Sequence, residues 1–269
     1  KYPQRFINVG VAEQVMIGIS AGLAIKKKKV FAYTIAAFSI YRPFEMIRDD
    51  LCYQNLTVTV IGMGAGSIYS SLGGTHLTQE DISIARSVPN LKILCPCDPL
   101  ELELMLNYLC KNNIGPTYLR IGKTGEKNLT LNSPDKWRFG KIRKIFKGKN
   151  GKICFITFGP ISRLAFDINE KVKEKITIYN SHTLKPFDEK NCKKILKKFK
   201  KIIIIEDHSE IGGLYQIVSR VAFESKYTGT IQNFSLKDKF IHKYGSQKYL
   251  LNLHGISEEK ILKSLNEKN

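Results

Sequence analysis

Apolar and polar positions along the chain switch between two periods. Short aliphatic and β-branched runs alternate with longer stretches of helical spacing, the signature of parallel α/β layering. Phe6-Ile7-Asn8-Val9 reads as a buried strand. Val11 to Ala24 reads as a helix, with Gly18 and Gly22 four apart on one face and open to a close neighbour. Val30 to Tyr33 is the next strand, and Phe44 to Tyr53 the next helix. Thr57 to Ile61 is a strand that opens into a glycine-rich loop. Thr78 with Asp81 has the spacing of a capping box for a helix through Arg86, and Lys92 to Cys95 is a strand. Asp98 caps a helix that has Pro99 at its first position and Glu101 in its first turn. Thr117 to Arg120 closes this half.

From Gly122 to Phe139 the periodicity lapses into Gly, Lys, Asn, Thr and Pro, as a linker does. The alternation then resumes. Ile153 to Thr157 is a strand ending in Phe158-Gly159-Pro160 before a helix; Ile176 to Tyr179 and the isoleucine run Ile202 to Ile205 are further strands. Gly212-Gly213 opens a helix through Phe223, and Ile256 to Leu265 forms a terminal helix. The expected fold is therefore α/β with two doubly wound domains, residues 1–122 and 139–269, joined by a linker over 123–138.

The composition supports real cores. The chain has 269 residues, 43% of them hydrophobic, and no apolar run approaches the ~18 residues of a membrane span. A formal net charge of +19 raises the question of nucleic acid. The lysines, densest between Lys141 and Lys201, alternate with Ile and Phe, and no nucleic-acid motif accompanies them. Attraction of anionic small molecules is the reading that survives. Six cysteines lie mostly in apolar runs with no zinc or redox spacing, so reduced thiols in a cytoplasmic protein are expected. The start, Lys1-Tyr2-Pro3-Gln4-Arg5, lacks an initiator Met and a signal-peptide apolar region, and reads as a cut within a longer chain.

Three features are candidates for chemistry. Gly62-Met63-Gly64-Ala65-Gly66 follows a strand, but its GxGxG spacing and the loop-like residues after it exclude a dinucleotide fingerprint, and no Walker lysine is present. Glycines there still allow a ligand to approach the backbone. His76, in Gly73-Gly74-Thr75-His76, lies on the C-terminal side of a strand, where open α/β sheets gather ligands. A loop histidine otherwise reads as a surface residue, and His182 and His208 carry that plain reading. Glu13 falls in the first turn of a helix, where any acid is favoured by the helix dipole.

The string RFINVGVAEQVMIGISAGLA resembles the pyrimidine-domain motif of the transketolase family. YTIAAFSIYRPFEMIR is similar to the family's aromatic stretch over the cofactor's aminopyrimidine, and GGTHLTQEDISIARSVPNLKILCPCDPLELE to its substrate-side segment. GPTYLRIGK resembles the strand that ends the pyrimidine domain; HTLKPFD and IIIIEDHSEIGGL resemble signatures of the C-terminal domain. These motifs span nearly the whole chain in the family's order. The resemblance implies a pyrimidine-binding domain with a parallel sheet, incomplete at its start, and a C-terminal domain with a mostly parallel sheet. It implies thiamine diphosphate as cofactor. Glu13 matches the glutamate that hydrogen-bonds N1′ of the aminopyrimidine and promotes the imino form that removes the C2 proton. Phe38 matches the aromatic stacked on that ring, whereas Phe31 and Phe44 read as core packing. His76 matches a position facing cofactor and substrate. Around Tyr41-Arg42 a one-residue insertion leaves cofactor contacts unassigned.

Departures from the family pattern concern the substrate. Leu72 stands where an acid is common, Gly64 where a histidine is common, and Lys123 near the phosphate-binding arginine. A lysine meets phosphate as a point charge, without arginine's bidentate fork. The GDG…N motif that holds Mg²⁺ and the diphosphate does not occur, so the expected metal ligands in this chain are none. The resemblance thus implies a partner: an N-terminal-type subunit carrying the diphosphate-binding domain and its Mg²⁺, in a homo- or hetero-oligomer such as a dimer of such pairs. The implied activity is transfer of a two-carbon ketol unit between sugars. Alternatives are a deoxyxylulose-phosphate-synthase-like or 2-oxoacid dehydrogenase β-type subunit, and a non-catalytic assembly subunit. SIARSVPN and EDHSEIGG favour transketolase over the β-type subunit.

Overall fold

Strand β1 (Val30–Ile35) is preceded by helix α1 (Glu13–Ile25), whose Ile17, Ser20 and Ala21 turn inward, in a computed structural model that describes residues 2–266. Two short helices follow, α2 (Ala36–Ile40) and α3 (Phe44–Met46), the second running on as a π-helical turn over Ile47–Tyr53. Then come β2 (Val58–Met63), α4 (Asp81–Ser87), β3 (Lys92–Leu94), α5 (Pro99–Lys111) and β4 (Thr117–Ile121). The second half runs β5 (Arg143–Phe146), β6 (Ile153–Thr157), α6 (Ser162–Lys171), β7 (Thr177–Asn180), β8 (Thr183–Lys185), α7 (Glu189–Lys198) and β9 (Lys201–Ser209). It ends with α8 (Leu214–Glu224), β10 (Thr230–Leu236), α9 (Gln247–Leu253) and α10 (Glu258–Asn266).

Two five-stranded sheets result, as the alternating pattern requires. The first has the order β1-β2-β4-β3-β8, parallel except for β8, which pairs antiparallel with β3. The second has the order β10-β9-β6-β7-β5, parallel except for β5. Strand β8 therefore comes from the second half of the chain but completes the sheet of the first. One apolar cluster likewise joins Ile17, Val60 and Tyr118 to Phe158, Leu184 and Val221, so the two sheets share a core.

A buried charged network crosses the same boundary. Arg120 Nε donates to Asp81 Oδ2 at 2.8 Å, and its Nη2 donates to the Asp207 carbonyl at 2.9 Å. Tyr118 donates to the same Asp81 oxygen, and Gln247 donates to the Asp207 carboxylate. Burial of an unpaired guanidinium would be prohibitive; here α4 supplies the Asp81 carboxylate, β9 the Asp207 carbonyl, and the Phe158 ring lies 5.5 Å from the guanidinium carbon. In the second domain the Glu206 carboxyl, pushed up to about 8 by burial, accepts the N–H groups of Leu214 and Tyr215 at the start of α8.

Local signals held in part. The Asp98 cap is formed: its Oδ1 accepts from the Glu101 N–H at 2.7 Å, and Glu101 Oε2 accepts in return from the Cys97 N–H. Asp98 Oδ2 also accepts from Leu129 and Thr130, pinning the inter-domain segment to α5. The Thr78–Asp81 capping box is not formed: Asp81 turns to Arg120, whose buried charge outweighs a cap, and Thr78 Oγ1 has no hydrogen-bond partner among the described residues. Phe6 to Val9 form no strand, because no described strand pairs with them; Phe6 is 74% exposed. Among the described residues, none lies within 4 Å of where a Cβ would stand at Gly18 or Gly22. Phe31 points outward from the edge strand rather than into the core, whereas Phe44 packs against it.

Candidate active site

Parallel pairing brings the C-terminal ends of three strands into one row. Ile35 of β1 lies beside Met63 of β2, and Met63 beside Ile121 of β4. Each strand then releases its chain at the same edge: β1 into α2 with Phe38, β2 into the glycine-rich loop, β4 into Gly122-Lys123. This is the edge where open α/β sheets hold ligands.

The residues singled out in the sequence meet there in one chain of contacts. Glu13 is the first residue of α1 and is only 5% exposed. Its Oε2 accepts a hydrogen bond from Arg42 Nη1 at 2.8 Å, and the Arg42 guanidinium carbon stands 4.0 Å from the centroid of the Phe38 ring. Phe38 meets the His76 ring edge-on at 5.2 Å between centroids. His76 in turn lies 6.3 Å from the Tyr69 ring, and Lys123 Nζ stands 5.3 Å from the Tyr69 centroid. Neighbouring Tyr41 donates to Glu80 Oε2 at 2.6 Å, which ties the Arg42 segment to the approach to α4.

Arg42 and Tyr69 are the members that the sequence did not single out. Arg42 sat beside an apparent insertion, and Tyr69 in a stretch with no periodicity. The glycine-rich loop has a different use from the expected one. A Cβ at Gly66 would lie 2.6 Å from the Asp207 carboxyl carbon, so the loop's close approach is to the other domain. Ser67 accordingly donates both its N–H and its hydroxyl to Asp207.

His182 and His208 are buried, not surface residues as their loop positions suggested. His182 stacks on Trp137 at 5.4 Å; burial and nearby Arg143 push it down to about 3. Burial likewise pushes His208 down to about 4, against the pull of Asp81. Neither belongs to the cluster around Glu13. Among the described residues no group of three or more His, Cys, Asp or Glu side chains has the arrangement of a metal site. All six cysteines are free, five of them buried, and Cys110 is exposed.

Two family models match the chain: the transketolase pyrimidine-binding domain over residues 1–125 and the transketolase C-terminal domain over residues 140–261. The chain is 31% identical to one of the subunits of the apulose-4-phosphate transketolase of Actinobacillus succinogenes, across 97% of this chain and 84% of that protein. It is 31% identical to a putative transketolase C-terminal section of Methanocaldococcus jannaschii, across 99% and 84%. It is also 30% identical to a 1-deoxy-D-xylulose-5-phosphate synthase of Clostridium perfringens, of which it covers 43%. Among solved structures it superposes on a split-gene transketolase described as an inactive β4 tetramer, with a TM-score of 0.86, 25% identity, and coverage of 98% and 84%. With both domain models in order and these relatives along nearly its whole length, the chain belongs to the transketolase family, as a C-terminal section.

Proposed function

We propose that this chain is the pyrimidine-binding subunit of a thiamine-diphosphate-dependent enzyme that transfers a two-carbon ketol unit between sugars. One observation carries the reading. The Arg42 guanidinium, a planar group with N–H donors, stacks on Phe38 and donates to Glu13. An aminopyrimidine needs the same two contacts, a ring face and a carboxylate acceptor, so the site fits that half of the cofactor. Thiamine diphosphate, when bound, supplies the carbanion-stabilising chemistry; the protein supplies orientation and electrostatics. Glu13 would accept the N1′ hydrogen bond and exchange the proton there, Phe38 would carry the ring, and His76 would face the substrate. Arg42 has to swing aside, and at 41% side-chain exposure it has room to do so.

We assign the diphosphate and its Mg²⁺ to a partner subunit, a reading supported by the similarity to one subunit of a transketolase and to a split-gene transketolase. Support for a partner comes from the apolar surface beside Glu13: Val11 is 84% exposed, and Val15 and Ile19, which follow it at four-residue spacing along α1, are exposed as well. The similarity to a 1-deoxy-D-xylulose-5-phosphate synthase supports a second reading, a synthase-like reaction, for which we propose a 2-oxoacid donor.

The test is reconstitution of the full protein with a subunit carrying the diphosphate-binding domain, Mg²⁺ and thiamine diphosphate. Transfer is followed over ketol and 2-oxoacid donors. Glu13→Gln is expected to lower turnover by roughly 10²- to 10⁴-fold, the usual size of a general acid–base contribution. Full activity in Glu13→Ala would overturn the mechanism. Failure of the complex to bind cofactor would favour a non-catalytic assembly role, and a 2-oxoacid donor would favour the second reading.

A further inference from the structure

Tyr69 is held on three sides. Gly64 has φ +70°, and a Cβ built there would lie 2.2 Å from Tyr69 Cε2, so the tyrosine ring fills the space of the missing side chain. The Tyr69 hydroxyl donates to Met63 Sδ at 2.8 Å, and His76 closes the third side. Tyr69 as a whole is only 8% exposed although its loop lies at the sheet edge. Its remaining face meets Lys123 Nζ at 5.3 Å. Glu126, the acid nearest to Lys123 in the sequence, turns instead to the Lys123 backbone N–H, which donates to its Oε1 at 2.8 Å. Among the described residues the ammonium meets an aromatic face, which attracts it without neutralising it.

Resting on the function proposed above, we infer that Tyr69 is a positioning residue for substrate selection. Its ring holds the Lys123 ammonium at the face that Gly64, Met63 and His76 leave open, so that the site prefers sugars bearing an anionic group such as phosphate. A free lysine at this edge would sample many rotamers; one held against a rigid ring loses less entropy on meeting an anion.

Binding of ribose 5-phosphate and of ribose to the full protein, by calorimetry or NMR, tests this without turnover. The phosphorylated sugar is expected to bind about tenfold more tightly, and Lys123→Met to abolish the difference. Tyr69→Leu should weaken the phosphorylated sugar roughly two- to fivefold, the worth of an exposed cation–π contact, and leave ribose unchanged. Tyr69→Phe, which keeps the ring, should restore the preference. In a Lys123→Met background Tyr69→Leu should add nothing. In the reconstituted enzyme the Tyr69→Leu effect should fall on KM and not kcat. Equal loss for both sugars, an additive double variant, or no preference in the unmodified protein would each overturn the inference. If Tyr69→Leu fails to fold, the preference measured in Tyr69→Phe and Lys123→Met decides the matter. A protein that discriminates these sugars but binds no cofactor would sink the proposed function and leave this inference standing.

Discussion

Arg42 and Glu13 form an ion pair at 2.8 Å in which the carboxylate is buried and the guanidinium half-exposed above Phe38. The pair links the start of α1 to the segment after α2, and it occupies both surfaces that an aminopyrimidine would use.

Replacement of Arg42 by alanine should therefore tighten cofactor binding. A half-exposed ion pair contributes at most about 1 kcal/mol, and the cation–π contact a similar amount. Removing this competition should lower the Kd for thiamine diphosphate by roughly five- to thirtyfold in the reconstituted complex, one or both contacts converted at about 1.36 kcal/mol per factor of ten, as titration by tryptophan fluorescence or calorimetry would show. A weaker Kd would mean that Arg42 holds the cofactor and does not yield to it.

Arg120 bears on stability. The guanidinium and the Asp81 carboxylate are both buried, and Arg120 also donates to the Asp207 carbonyl across the domain boundary. Arg120→Met leaves Asp81 buried with, among the described residues, the Tyr118 hydroxyl as donor and the His208 ring at 3.8 Å, which should cost about 3–5 kcal/mol in denaturant unfolding. Adding Asp81→Asn removes the stranded charge and should recover part of the loss. Additive losses would show that the two residues do not act as a pair.

The buried histidines predict acid sensitivity. Folding lowers His182 to about 3 and His208 to about 4, from an ordinary value of 6.5. Between the folded and unfolded values the unfolded chain binds more protons, so stability is full above pH 6.5 and falls on acidification below it. Each histidine adds a slope of about 1.4 kcal/mol per pH unit in that window. Glu206, raised by burial, pulls the other way between pH 4.5 and 8, so parent and variant must be compared at each pH. In His182→Gln the fall in Tm between pH 6.5 and 4 should be shallower than in the parent. Equal slopes would show that His182 does not titrate differently in the two states.

Local chemistry made much of the molecule legible. The alternation of periods marked the two α/β halves, and the ordered motifs marked Glu13, Phe38, His76 and Lys123. Asp98, Pro99 and Glu101 mark a helix start because a cap is made by atoms three residues apart. The isoleucine run of β9 reads as a strand because a segment buried on both faces needs apolar residues at every position.

Tertiary structure decided whatever depends on partners distant in sequence. Thr78 and Asp81 carry the letters of a capping box, but Arg120, far along the chain, takes the carboxylate. Phe6 to Val9 carry the letters of a strand but have no described strand to pair with. His182 is covered by Trp137, and His208, inside β9, faces Asp81 and Ser83 of the other half, neighbours that no local pattern discloses. Arg42 and Tyr69 enter the site because parallel pairing aligns the strand ends that release their loops. The sequence by itself determined which segments form strands and helices, and which residues match the family's chemistry. The shared core, the second domain's strand in the first sheet and the Arg42–Glu13 pair came from packing, because each is a contact between groups that the linear order keeps apart.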